Sequence, residues 1–173
     1  VDGNLNGKKT YSNPRKDNIL ILGIGNILMG DEGVGVHIVR YVKEHLPLPD
    51  GVSVLDGGTG NFILLEPMQS AKIVIIIDAT LDGQKTGTVS LYRPKFTTDY
   101  PRTLTAHDIG LKDLLDAFHL LGEKPDVTLF AISIKKPAGL DTEMSESLKL
   151  KIPEIAERIL TEVHRIIPLL SRS

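Results

Sequence analysis

Three residues far apart in the chain carry side chains suited to metal or acid–base chemistry: Glu32, Asp78 and His107. Glu32 lies in GIGNILMGDEGVG (Gly23 to Gly35), directly behind the apolar run Ile19 to Leu22. A strand running into a glycine-rich turn is the usual setting for a nucleotide phosphate. Here Asp31 and Glu32 stand at the helix entrance, where their charge would repel a pyrophosphate. The third glycine position of a G-x-G-x-x-G fingerprint is occupied by Leu28, which weakens a dinucleotide reading further. Asp78 follows the apolar residues Ile73 to Ile77. A carboxylate at the end of so apolar a strand is costly unless it is paired or metal-bound. His107 stands in TLTAHD, where a loop enters a helix. Two carboxylates and an imidazole form a donor set that a divalent cation would hold together, and nickel, zinc, iron and manganese all suit it.

The acid pair and the acid beside His107 also have ordinary structural uses. Asp31 would serve as an N-cap to the amides of Gly33 or Val34. Glu32 would be a first-turn acid stabilised by the helix dipole, for about 0.3–1 kcal/mol. Asp108 reads as a cap or first-turn acid in the same way. His37, His45, His119 and His164 fall in helix bodies, which point away from strand ends, and read as surface or partly packed residues. No H-E-x-x-H zinc helix, G-x-S-x-G elbow or P-loop occurs. VLDGGTG has a partial likeness to an aspartic-protease loop, but that design needs two matched acids in an all-β setting.

For Glu32, Asp78 and His107 to meet, the chain must bring the ends of different strands together. Strand-like runs are Asn18 to Gly25, Gly51 to Gly58, Ala71 to Ala79, Gly87 to Pro94 and Asp126 to Ile134. Helical spacing covers Asp31 to Leu46, Asn61 to Ser70 with an interruption near Pro67, and Ala106 to Leu121. A last helix runs from near Pro153 to about Ile167, after a separate turn over Glu146 to Lys151. The alternation predicts one α/β domain of three layers, a mostly parallel sheet with helices on both faces. The run Gly87 to Pro94 alternates, as a half-exposed edge strand does, and is the candidate antiparallel member. In such sheets ligands sit outside the carboxyl ends of the strands, where Asn26, Asp31, Glu32, Asp56, Asp78 and His107 all fall.

A chain of 173 residues fits a single domain with a substantial core. Its net charge of -2 gives no electrostatic case for nucleic acid or an anionic membrane as partner. No apolar run approaches the roughly 20 residues that span a bilayer. Residues 1–17 are polar and are expected to form a flexible arm before the domain at 18–173. A cytoplasmic location is the expectation. With no cysteine there is no thiolate ligand or nucleophile.

In combination, LGIGNILMGDEGVGVHIV, LDGGTGNFILLE, IIIDAT and TAHDIGLKDLL resemble the NiFe-hydrogenase maturation endopeptidases. The likeness covers the chain from about Asn18 to the last helix. It implies a twisted five-stranded sheet between helices. It also implies a cytoplasmic, monomeric processing protease of metal-dependent or aspartyl type, and so an enzyme activator. Such an enzyme trims the C-terminal extension from a hydrogenase large-subunit precursor once nickel is in place. By the resemblance, Glu32, Asp78 and His107 are the metal ligands and the catalytic set. The Ni(II) arrives with the precursor, and other divalent cations are expected to occupy the site in vitro. Asn26, Asp31 and the loop Asp56 to Thr59 fall on further family signatures. If the metal serves recognition alone, Asp78 is the candidate general base, because burial favours its holding a proton. Cation binding needs ionised carboxylates and neutral imidazole, so affinity falls in mild acid.

The alternative is a metal-dependent binding module or chaperone for the immature subunit, such as an accessory protein of a coenzyme-F420-reducing hydrogenase. Two departures from the family pattern stand out. The polar arm is long, and Lys85-Thr86 replaces a position where proline is common. No proposed ligand lies in the arm. Removing residues 1–17 is therefore expected to leave precursor cleavage, followed by product mass, unchanged; lost cleavage would give the arm a role.

Overall fold

The computed structural model describes residues 19–60, 62–94, 99–104, 115–116, 118, 125–136 and 142–170. The segment 1–17 and most of the expected helix from Ala106 to Leu121 lie outside the described residues. Five apolar runs become the strands of one sheet: β1 (Ile19–Gly23), β2 (Val52–Asp56), β3 (Ile73–Thr80), β4 (Val89–Tyr92) and β5 (Asp126–Ser133). Their spatial order is β2-β1-β3-β5-β4. The first four are mutually parallel, and β4 pairs antiparallel with β5 at the edge. Every residue of β1 and β3 is buried, which explains why central strands covered on both faces read as unbroken apolar runs. Half-exposed β4 enters through a bulge. Gly87 and Thr88 together face Ser133, donating from Gly87 N to Ser133 O (2.7 Å) and accepting at Thr88 O from Ser133 N (2.9 Å).

Helices α1 (Val34–His45), α2 (Leu65–Ser70), α3 (Glu146–Lys149) and α4 (Ile152–Leu170) lie among the described residues. On one face of the sheet, Val34, Ile38 and Val42 of α1 and Ile159 and Val163 of α4 pack against Ile21, Ile75 and Ile77. Complete burial of each such side chain contributes about 1.5–3 kcal/mol. On the other face, Leu64 and Met68 meet Leu22, Val74 and Ile76, with Phe118 in the same core. The mostly parallel sheet with helices on both faces is as expected. Among the described residues, no helix is long and apolar enough to cross a membrane.

Several boundaries differ from the expectation, each for a local reason. Gly30–Gly33 forms a 3-10 turn, so Asp31 and Glu32 precede α1 instead of opening it. Pro67 does not interrupt a helix. A 3-10 turn spans Phe62–Leu64, and Pro67 then lies in the first turn of α2, where its missing N–H has no helical acceptor to lose. The last helix continues past Ile167 to Leu170, with Pro168 inside it.

Helix α1 approaches the sheet backbone closely at Gly35. A Cβ on Gly35 would stand 2.3 Å from both Ile24 O and Ile77 O, too close for any side chain. Gly35→Ala is expected to destabilise by about 1–3 kcal/mol or more, as overpacking against a fixed backbone does. Urea denaturation with an unchanged midpoint would contradict that.

Farther along α1, Arg40 pairs with Asp56 at the end of β2 at 2.8 Å. Burial, then the nearby Arg40 charge, holds half-buried His37 below its ordinary pKa of 6.5, with Asp56 opposing and Lys149 adding to the shift. The folded state therefore favours neutral His37. Its contribution is complete above pH about 6.5 and is lost as acid protonates the unfolded chain first. Between pH 7.5 and 5.5, His37→Gln should lose less melting temperature than the parent protein; equal losses would remove His37 from the acid response.

Candidate active site at the end of the central strands

The strand order creates a switch point. From β1 the chain passes through α1 to β2 on one side, while β3 lies on the other side of β1. Connections diverging from neighbouring strands leave a crevice at their carboxyl ends, the usual ligand position in such sheets. Glu32 belongs to the turn that follows β1, and this turn packs against β3. Asp78 lies in β3 one residue beyond Ile77, the partner of Gly23 in β1. The backbone thus carries both proposed acids to the same switch point.

The turn is built from backbone closeness. Ile24 N donates to Ile77 O (2.9 Å), Gly25 N to Gly58 O (2.7 Å) and Gly57 N to Gly23 O (2.8 Å), so the loops after β1 and β2 are tied to each other and to β3. Gly25 has φ +149, and a Cβ there would lie 2.1 Å from Glu32 O. Only glycine lets the loop fold back on the segment bearing Glu32. Asn26 shapes the tip, its Oδ1 accepting from Leu28 N (3.0 Å) and its carbonyl from Met29 N (3.0 Å). Glu32 is half-buried, and its amide donates to Met29 O (3.1 Å).

Asp31 is not the cap its position suggested. Neither Met29, which precedes the 3-10 turn, nor Gly33, which precedes α1, makes a side-chain cap. Instead the Asp31 carboxylate accepts from Ser145 N (2.7 Å) and Ser145 Oγ (2.9 Å), 114 residues away. No sequence motif marked Ser145, because both partners look like local caps when read alone.

Asp78 is wholly buried, and its Oδ1 accepts from Ala79 N (2.7 Å). Strand alternation turns it to the face shared by Val74 and Ile76, the α2 side. Two residues on, Thr80 Oγ1 and Thr103 Oγ1 lie 2.8 Å apart. Leu81 N donates to Thr103 O (2.8 Å), and Thr80 forms an antiparallel bridge with Leu104. The segment leading towards His107 therefore runs beside the end of β3. His107 itself lies outside the described residues. Among those residues, no three metal-binding side chains come together, so the proposed set depends on His107.

Other polar residues near the strand ends are committed elsewhere. Asp56 spends one oxygen on Arg40 and the other on Gly58 N (3.0 Å). His45 stacks on Tyr41 with ring centroids 4.4 Å apart, and His164 Nδ1 lies 2.7 Å from Leu160 O. With half-buried His37 they behave as surface or partly packed residues; His119 lies outside the described residues.

Comparison with known proteins agrees with this architecture. A family profile described as hydrogenase maturation protease matches residues 36–162. Over 156 residues the chain is 34% identical to the hydrogenase expression/formation protein HoxM of Azotobacter vinelandii, spanning 82% of this chain and 73% of that one. It is 38% identical over 109 residues to the hydrogenase 2 maturation protease of Escherichia coli K12, spanning 62% of this chain and 66% of that one. Among solved structures, the hydrogenase maturating endopeptidase HybD from E. coli aligns with a TM-score of 0.74 at 32% identity. That alignment covers 86% of this chain and 93% of HybD. Sequence and fold together lead to one conclusion: the chain belongs to the hydrogenase maturation protease family.

Proposed function

We propose that this chain is the endopeptidase that removes the C-terminal extension of a NiFe-hydrogenase large-subunit precursor after nickel insertion. On this reading Glu32, Asp78 and His107 hold the nickel that the precursor presents. The supporting observation is the meeting of the Glu32 turn and Asp78 at the switch point between β1 and β3. Family membership supports the reaction class. The third ligand is proposed because Leu104 bridges Thr80, two residues from Asp78, and His107 follows Leu104 by three residues in the sequence.

The donor set fits the ion. Carboxylate oxygen and imidazole nitrogen suit Ni(II), and burial of Asp78 keeps water from competing for that side. Bound at this crevice, a divalent ion supplies charge to polarise a scissile carbonyl or acidify a water. The chain's own residues orient it. The Ala79 amide fixes Asp78 Oδ1, and the loop linkages hold the backbone on which Glu32 sits. Asp78 is also the residue assigned as general base where nickel only docks the tail. A cytoplasmic, monomeric enzyme acting on a soluble precursor accords with this assignment.

The test is incubation with a nickel-loaded precursor, followed by mass measurement. Loss of a C-terminal peptide is expected; an unchanged mass with a stable complex would favour the binding-module alternative. Glu32→Gln, Asp78→Asn and His107→Ala should each abolish cleavage while circular dichroism stays native, and His119→Ala should cleave normally. Full cleavage by any of the first three would remove that residue from the site.

A further inference from the structure

We propose that Asp31 and Ser145 form a positioning clamp that sets the Glu32 carboxylate for the cation; this rests on the assignment of Glu32 as a ligand. Both residues give up their ordinary local use for the pair. Ser145 occupies the N-cap position of α3 with extended backbone (φ -61, ψ 142), yet its side chain caps nothing in α3. Its carbonyl still accepts from Leu148 N and Lys149 N (3.0 Å each). Its hydroxyl and amide go to the two oxygens of Asp31 instead. A serine at such a position would otherwise satisfy a free amide of its own helix.

Placement gives the pair its consequence. Asp31 follows β1 and Ser145 follows β5, and β3 lies between those strands. The clamp therefore joins the connections on either side of the strand that carries Asp78. Its far end is anchored, because Met144 and Leu148 on either side of Ser145 are buried in the same core as Val34 and Ile38 of α1. Its near end is the residue next to Glu32. Successive side chains leave a 3-10 turn about 120° apart, so fixing the direction of Asp31 fixes the direction in which Glu32 departs. Groups hydrogen-bonded directly to a ligand are worth roughly 10–100-fold in metal affinity, and the clamp acts on Glu32 through the adjoining backbone.

The experiment measures Ni2+ binding to the full chain by calorimetry, with metal-free melting curves alongside. Ser145→Ala and Asp31→Asn are each expected to weaken Ni2+ binding about tenfold or more. The combined variant should be no weaker than either, and Ser145→Thr, which keeps the hydroxyl, should restore affinity. A purely structural pair would lower the melting temperature and leave Ni2+ affinity alone. If Ser145→Ala and Asp31→Asn bind as the parent does while Glu32→Gln binds weakly, the clamp is overturned and the ligand assignment stands. If Glu32→Gln also binds as the parent does, both fall.

Discussion

The contact on which the site depends has no side chain in it. At Gly35 the first turn of α1 lies against the carbonyl oxygens of Ile24, just past β1, and Ile77, within the neighbouring β3, with no room for a methyl group. That approach forces the chain leaving β1 to turn within a few residues, and so brings Glu32 over the strand ends. It also fixes where Asp78 begins, because Asp78 follows Ile77 directly. A larger residue at position 35 would lift α1 and its turn away from β3. The acids would then separate without any change to their own chemistry.

Around that contact, the two faces of the sheet divide the work. The face bearing α1 and α4 holds an apolar cluster that sets the height of the Glu32 turn. The face bearing α2 receives the Asp78 side chain among Val74, Ile76 and their neighbours. Buried acids are tolerated only with partners, and the fold shows this elsewhere: Glu162, 7% exposed, is met by Arg93 and Arg165. At the switch point Asp78 accepts from the Ala79 amide, and the cation proposed for this crevice would add to that.

Much of the fold was legible because its central strands are covered on both faces. The expected runs Asn18 to Gly25 and Ala71 to Ala79 contain β1 and most of β3, and the alternating run Gly87 to Pro94 contains the edge strand Val89–Tyr92. Strand order was not legible, since the local pattern of β1 and β3 does not say that they are neighbours. The acids at the switch point were found by their oddity, a carboxylate after an apolar strand and an acid pair at a glycine turn. Long-range partners were invisible for the same reason. Asp31 and Ser145 each look like helix caps locally, and the bond between them exists only through the tertiary fold. Asp56 was placed at the site by its motif, whereas its charge is spent on Arg40.

The central claim, one divalent ion shared by three side chains, is tested most directly by anomalous diffraction from crystals of the protein soaked in Ni2+ or Cd2+. A shared site predicts a single strong peak at the carboxyl ends of β1 and β3, within bonding distance of the Glu32 and Asp78 carboxylates and the His107 imidazole. A peak bound elsewhere, or an ion at the crevice that leaves any of the three side chains outside its coordination sphere, would contradict it.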